Sequence, residues 1–221
     1  MAQLNPSLFH FLKTLKENNN RNWFLNNKRV YEKTKNEFAL FIEELIQEIK
    51  KFDKTIVDIG AKECMFRINR DVRFSNDKSP YKTNIGAGVS KGGKKLFTGG
   101  YYLHLEPEKS FIAGGIYMPP TDILSAIRQE IDYNPLAFKT IVYNKSFVNH
   151  FRKLDDSDKL KTAPKGYAKD HLEIETLKLK SFIVSKSFSD KQICAPDFLQ
   201  QCIDVCKAIK PLNAFLNKAT D

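Results

Sequence analysis

Between Met65 and Ser90 the chain reads MFRINRDVRFSNDKSPYKTNIGAGVS, which holds arginine, lysine, aspartate and tyrosine where a core strand would carry aliphatics. Arg67, Asn69, Asp71 and Arg73 alternate with apolar residues. On a β-strand they would share one face at steps of about 6.5–7 Å. Two guanidinium groups flanking a carboxylate make either an internal ion-pair row or an anion site, because arginine suits bidentate contact with phosphate or carboxylate. Arg70 falls on the opposite, apolar side and needs a partner, since an unpaired buried arginine is strongly destabilising. Asp77, Lys78, Ser79, Pro80, Tyr81 and Lys82 follow directly. The two lysines could neutralise phosphate, and Tyr81 could stack on a base or donate a proton; otherwise this is a proline-pinned turn in water. The candidate ligand-binding set is therefore Arg67, Arg70, Arg73, Asp77, Lys78, Tyr81 and Lys82.

Proton chemistry has four candidates: Asp71, Tyr81, His104 and Glu106. His104 and Glu106 alternate with Leu103 and Leu105, so they share a face with Tyr102 and form the best internal acid–base pair, imidazole titrating near neutrality. An ordinary hydrogen-bonded strand histidine is the competing reading. Asp170 and His171 offer a second pair in a loop. The four histidines show no H-x-H or H-E-x-x-H spacing, so no metal and no cofactor are expected. Nucleotide-fold glycine fingerprints and a G-x-S-x-G elbow are missing too. Cys64, Cys194, Cys202 and Cys206 lack metal-loop spacing and read as reduced structural thiols. Eight of the ten glycines lie between Gly86 and Gly115. Glycine within strands marks bulges or close approach of a ligand or backbone, so we expect a glycine-floored groove edged by Arg67, Arg73 and Lys82.

The elements that must position these residues follow from periodicity. Leu8, Phe9, Phe11, Leu12 and Leu15 predict a first helix, and Asn18–Asn20 ends it. In NNNRNWF, Trp23 and Phe24 either anchor the next helix to the core or, with Arg21, rim the groove. A long helix runs to Lys51 with Tyr31, Phe38, Phe41, Ile42, Leu45 and Ile49 as its seam. From Cys64 the period becomes two, with Phe66, Ile68, Val72 and Phe74 predicted as the buried face of a strand. Further strands are expected at 85–89, 101–106, 111–118 and 181–188. Two of their links, Lys91–Lys94 and Pro107–Ser110, read as hairpin loops. Helical spacing returns at Ile123–Ile131 and Pro135–Val142, and 196–218 reads as two helices broken at Pro211. The predicted fold is α+β: an antiparallel meander of about four to six strands, with N- and C-terminal helices packed on it, in a single domain over 1–221.

The 221 residues, 42% hydrophobic and 28% charged, are those of a globular chain and not a disordered one. No apolar run is long enough for a bilayer span and the N-terminus lacks signal-peptide features, so a cytoplasmic protein without a membrane partner is expected. The net charge is +10. Nine Lys and Arg stand against three acids between Lys62 and Lys95. Such clustering implies an anionic partner, or else a solvated lysine-rich surface.

The segments NNNRNWF, FRINRDVRFSNDKSPYKTN, GGYYLHLEP, GGIYMPP, PKGYAKDHL and LKLKSF together resemble the bacterial and fungal family called domain of unknown function 2461. Val72 and Leu172 stand where that pattern commonly has threonine and proline. The resemblance implies a single domain without an assigned activity. It picks out Arg67, Arg70, Asp71, Arg73, Asp77, Lys78, Tyr81 and Lys82. Three functions are then expected in order. The first is binding of, and action on, a phosphorylated or otherwise anionic small molecule or nucleotide. The second is a nucleic-acid-binding module using Tyr81, Tyr101 and Tyr102. The third is an interaction scaffold whose polar row is an internal ion-pair network. Oligomeric state and reaction class are not legible.

Overall fold

The computed structural model describes residues 2–93 and 97–220. Helix α1 (Ser7–Glu17) buries the five apolar residues whose spacing predicts it. Asn20 then caps α2 (Arg21–Asn26), its side chain accepting a hydrogen bond from the Trp23 N–H. The long α3 (Lys28–Phe52) lays Phe38, Phe41, Ile42, Leu45, Ile46 and Ile49 along one buried stripe. A short α4 (Ala61–Cys64) leads into the polar segment.

The sheet is an antiparallel meander of β1 (Ile85–Ser90), β2 (Gly100–Leu105) and β3 (Ser110–Ile116). The chain then leaves through α5 (Thr121–Tyr133), α6 (Pro135–Val142), α7 (Lys145–Phe151) and α8 (Ile174–Leu177). It returns as β4 (Phe182–Phe188), antiparallel to β3, so the spatial order is β1-β2-β3-β4. Buried Arg128 of α5 ties the returning segment down, donating to the Leu177 carbonyl at 2.7 Å and the Leu179 carbonyl at 3.1 Å. After α9 (Asp190–Ile193) the chain ends in α10 (Phe198–Lys218). Lys94, in the first predicted hairpin loop, and Lys95 lie outside the described residues.

Register and parity split the sheet into two unlike faces. Ala87, Leu103 and Ile112 align across three strands and are buried, as are Val89, Tyr101, Val184 and Phe182 on the same side. Helix α10 covers this face, with α3 packed against α10. Gly114 belongs to it, and a Cβ there would lie 2.3 Å from Ile209 Cγ2, so α10 rests directly on bare backbone. Asp53, at the end of α3, pins helix to sheet by accepting the Tyr101 hydroxyl at 2.7 Å, with Thr55 Oγ1 at 2.7 Å and Lys210 Nζ at 3.4 Å. Burial pushes the Asp53 carboxyl up, but the bonds from Thr55 and Tyr101 and the Lys210 charge outweigh it, leaving its pKa below the usual range. The opposite face carries Gly86, Gly88, Gly100, Tyr102, His104, Phe111, Ala113 and Gly115, and among the described residues no helix covers its centre.

Two expectations are corrected. The segment 65–74 is not a strand: only isolated bridges, Met65 to Ala87 and Asn69 to Tyr81, tie it to its surroundings. Of its four supposed core residues only Ile68 is buried, and Phe74 is 97% exposed. Alternation needs a partner strand to become a sheet face, and here the pairing stops at the Asn69–Tyr81 bridge, made by Arg70 N–H to the Pro80 carbonyl and Lys82 N–H to the Ile68 carbonyl. Second, α10 passes through Pro211 without a break. A proline in a helix interior costs about 3 kcal/mol. The apolar stripe continues on both sides of it through Val205, Cys206, Ile209, Leu212, Phe215 and Leu216, all buried, and that packing holds the helix together.

Candidate functional site

The uncovered sheet face floors a groove of about 630 Å³, within the usual size of a small-molecule site. Gly88, Gly100, Ala113 and Gly115 form the floor; Phe66, Tyr102, Phe111 and Tyr117 supply aromatic walls, and Lys82 is the one charged residue in the lining among the described residues. The glycines do differing jobs. A Cβ at Gly88 would find only the Phe66 ring, at 3.6 Å, so bare backbone there faces the groove. Gly115, at φ +111, admits the Phe182 carbonyl, which a Cβ would meet at 2.0 Å; it is required by packing, not by a ligand.

Phe66, predicted for the core, instead stands over the groove edge-on to Tyr102, with ring centroids 5.8 Å apart and Lys82 Nζ 5.6 Å above its ring. Behind Tyr102 runs a polar row. The Tyr102 hydroxyl lies 3.0 Å from His104 Nδ1, and His104 Nε2 lies 3.2 Å from a Glu106 carboxylate oxygen. His104 also stacks on Phe111 at 4.7 Å. Burial, then the Glu106 charge, pushes the Tyr102 phenol up, so it stays protonated at neutral pH. With neutral imidazole, the phenol donates to Nδ1 and the Nε2–H donates to Glu106. The row can pass a proton away from Tyr102, and it fixes the ring that walls the groove. His104 and Glu106 themselves lie outside the groove lining.

The structure places Arg70, Asp71, Arg73, Asp77, Lys78 and Tyr81 between residues 70 and 81, in different roles. Arg70, the residue that needed a partner, has several: it pairs with Asp77, donates to the Ser79 carbonyl at 3.2 Å, and reaches Ser75 Oγ at 3.4 Å. Asp77 also accepts from the Ser79 hydroxyl at 2.6 Å and its N–H at 2.9 Å. These Ser79 bonds first, then Arg70, hold its carboxyl at about 2. Asp71 takes Arg73 in a bidentate pair, at 3.0 and 2.7 Å, and its carboxyl is lowered chiefly by that contact. Lys78 Nζ donates to the Val72 carbonyl at 3.1 Å. Tyr81 is buried, stacked on Phe24 at 3.9 Å and clamped through its backbone by the Asn19 amide. Trp23 packs against Phe11 and does not rim the groove.

Arg67 lies elsewhere, in the wall of a second cavity of about 510 Å³ between α3 and the 65–69 arm. Lys35, Lys62, Asn69 and Asn84 join it there, with Glu32 as the single acid among the described residues. Reading the sequence missed Phe66, Phe111, Asn84 and Lys62 as lining residues. The parity of Phe111 against Ile112 carried the signal for the second of these; nothing in the sequence carried it for the others. The loop pair Asp170 and His171 is not formed, because His171 Nε2 meets Asp132 at 2.9 Å and its Nδ1 accepts the Glu173 N–H.

The model of a family described as "Conserved hypothetical protein (DUF2461)" matches residues 7–215. The chain belongs to this family. It matches none of the curated proteins and none of the solved structures. The matched region of the DUF2461 domain takes in every element of the groove, from the 65–69 arm to β4.

Proposed function

We propose that the protein binds an anionic small molecule, phosphorylated or nucleotide-like, in the groove above the sheet. One observation carries this reading: the groove joins a bare glycine floor and aromatic walls to Lys82 and, through the shared Phe66 and Asn84, to the cationic wall of the second cavity. A flat apolar body fits against Gly88, Phe66 and Tyr102, and Lys82, with Lys62 and Arg67 beyond Phe66, supplies the charge that an anionic group needs. The Tyr102–His104–Glu106 row gives the same site a means of moving a proton, should the bound molecule react. We place this activity in the cytoplasm, because the four cysteines are free thiols, as a reducing compartment keeps them. A thermal-shift screen with nucleotides and sugar phosphates tests the reading. A ligand at a hundred times its Kd stabilises by about 2.7 kcal/mol. That amounts to about 5–11 °C for a chain of this size. No shift with any anion, or an equal shift in Gly88→Leu, overturns it.

A second reading, contact with single-stranded nucleic acid, has its own observation. Phe74 projects from the clasped loop with the Arg73 guanidinium 5.9 Å from its ring centre. An exposed ring beside a cation is the pairing that stacks on an unpaired base. Binding that weakens steeply with salt and is lost in Phe74→Ala would favour it; no binding to oligonucleotides removes it. Tyr81 and Tyr101 are both buried and offer no stacking surface.

A further inference from the structure

We infer that the second cavity is the phosphate chamber of the same site, and that the ligand is a nucleoside phosphate lying across Phe66. The inference rests on the small-molecule reading of the groove. The two cavities share Phe66 and Asn84 in their walls and differ in chemistry. The groove is lined mainly by glycine and aromatic residues. The second cavity holds three cations, Lys35, Lys62 and Arg67, against one carboxylate, Glu32. Lys35 already answers Glu32, with 3.6 Å between them. That leaves Lys62 and Arg67 in the cavity wall, Arg67 also within range of the Asp71 charge, a cationic pair suited to a phosphate group. Among the described residues no hydrogen bond or ion pair engages the Arg67 guanidinium, so its planar fork is open to bidentate contact with phosphate oxygens. Asn69 adds an amide donor in the same wall.

The order of these features along the joined cavities is that of a nucleotide. A base fits on the Gly88 floor against the Phe66 and Tyr102 rings. Asn84 sits at the junction, where its amide can both donate to and accept from sugar hydroxyls. The phosphate then lies past Phe66, beside Lys62 and Arg67. A ligand with only the flat body would fill the groove alone, and one with only the anion would fill the second cavity alone.

Calorimetric titration with adenosine and adenosine 5′-monophosphate separates the two chambers. The proteins are wild type, Gly88→Leu, and the double variant Lys62→Gln/Arg67→Gln, whose changes fall on exposed side chains. The expected result is tighter binding of the monophosphate to wild type, by about tenfold or more. In the double variant its affinity falls to that of adenosine, while adenosine is unaffected. Gly88→Leu weakens both. Equal affinities for the two compounds in wild type, or a preference that survives in the double variant, would overturn the phosphate chamber and leave the groove reading standing. Failure of both compounds to bind, or binding untouched by Gly88→Leu, would overturn the groove reading and this one with it.

Discussion

Two glycines on opposite faces of the sheet should respond to the same substitution with opposite signs. At Gly88 an added methyl would sit 3.6 Å from the Phe66 ring, an ordinary contact beside open space. Glycine within a strand costs about 0.5–1 kcal/mol relative to alanine through lost chain entropy. Gly88→Ala should therefore stabilise by that amount, and at about 2–4 °C per kcal/mol for a chain of this length Tm rises by about 1–4 °C. At Gly114 the methyl would meet Ile209 Cγ2 at 2.3 Å and the Gly100 carbonyl at 2.9 Å. Optimal carbon contacts lie near 3.5–4.0 Å, so α10 or the strand must move by more than 1 Å. Overpacking of this kind costs about 1–3 kcal/mol. After the same entropy gain the net loss is up to about 2.5 kcal/mol, a fall in Tm of up to about 10 °C. Thermal unfolding followed by circular dichroism measures both. The reasoning is refuted if the two variants shift in the same direction. A stabilised Gly88→Ala that also binds ligand less tightly would mark its bare backbone as kept for the site and not for the fold.

The Asp53 anchor predicts a pH dependence. Its folded pKa is lowered, so the stability it gives is present above the ordinary carboxylate range and is lost as pH falls through the folded value. Asp53→Asn should flatten the acid limb of the stability–pH curve below about pH 4, and an unchanged limb would exclude the assignment. Tyr101→Phe removes a bond to a buried charge and should cost about 1.5–3 kcal/mol in urea unfolding. Arg70→Ala should open the clasp, so that limited proteolysis between 71 and 79 speeds up while the Tm stays near wild type; an intact loop would show that the clasp is not what orders it.

The period-two runs from Ile85 onward were readable because each strand has one face on a core and a partner on each side or at its edge. Ile85, Ala87 and Val89 repeat the same choice as Tyr101, Leu103 and Leu105. The segment 65–74 shows the same alternation without that cause. Phe66 looks like a core residue by spacing alone, but it packs across the groove because the chain between Ile68 and Pro80 is spent on a loop clasped by Arg70 and Asp77. Long-range pairing decides the outcome there, and a sequence pattern does not encode it. Pro211 misleads in the opposite direction, since the local cost of a proline is visible in the sequence while the packing of Ile209 onto Gly114 is not. His104 and Glu106 were legible as a pair because strand parity fixes their side. That Tyr102 closes the row on His104 follows from the same parity.

The basic segment changes meaning once its charges are followed to their partners. Arg70 is engaged by Asp77, Arg73 by Asp71, and Lys78 by the Val72 carbonyl, so the cations of the loop serve its own conformation. Lys62, Arg67 and Lys82 lie instead in the walls of the two cavities. On the proposed reading the attraction for a small anion is set by a few wall residues, and Arg67 and Arg73 should behave differently although strand parity would put them on one face with Asp71. A hydrogen bond to a charged group contributes about 1.5–3 kcal/mol. Arg67 is partly solvated, so the lower end applies, and Arg67→Ala should weaken binding of adenosine 5′-monophosphate by about tenfold. Arg73→Ala, which breaks a surface pair with Asp71 and a contact with the exposed Phe74 ring, should leave that affinity within about twofold. Equal losses in the two variants would return the anion to the loop and remove it from the cavity wall.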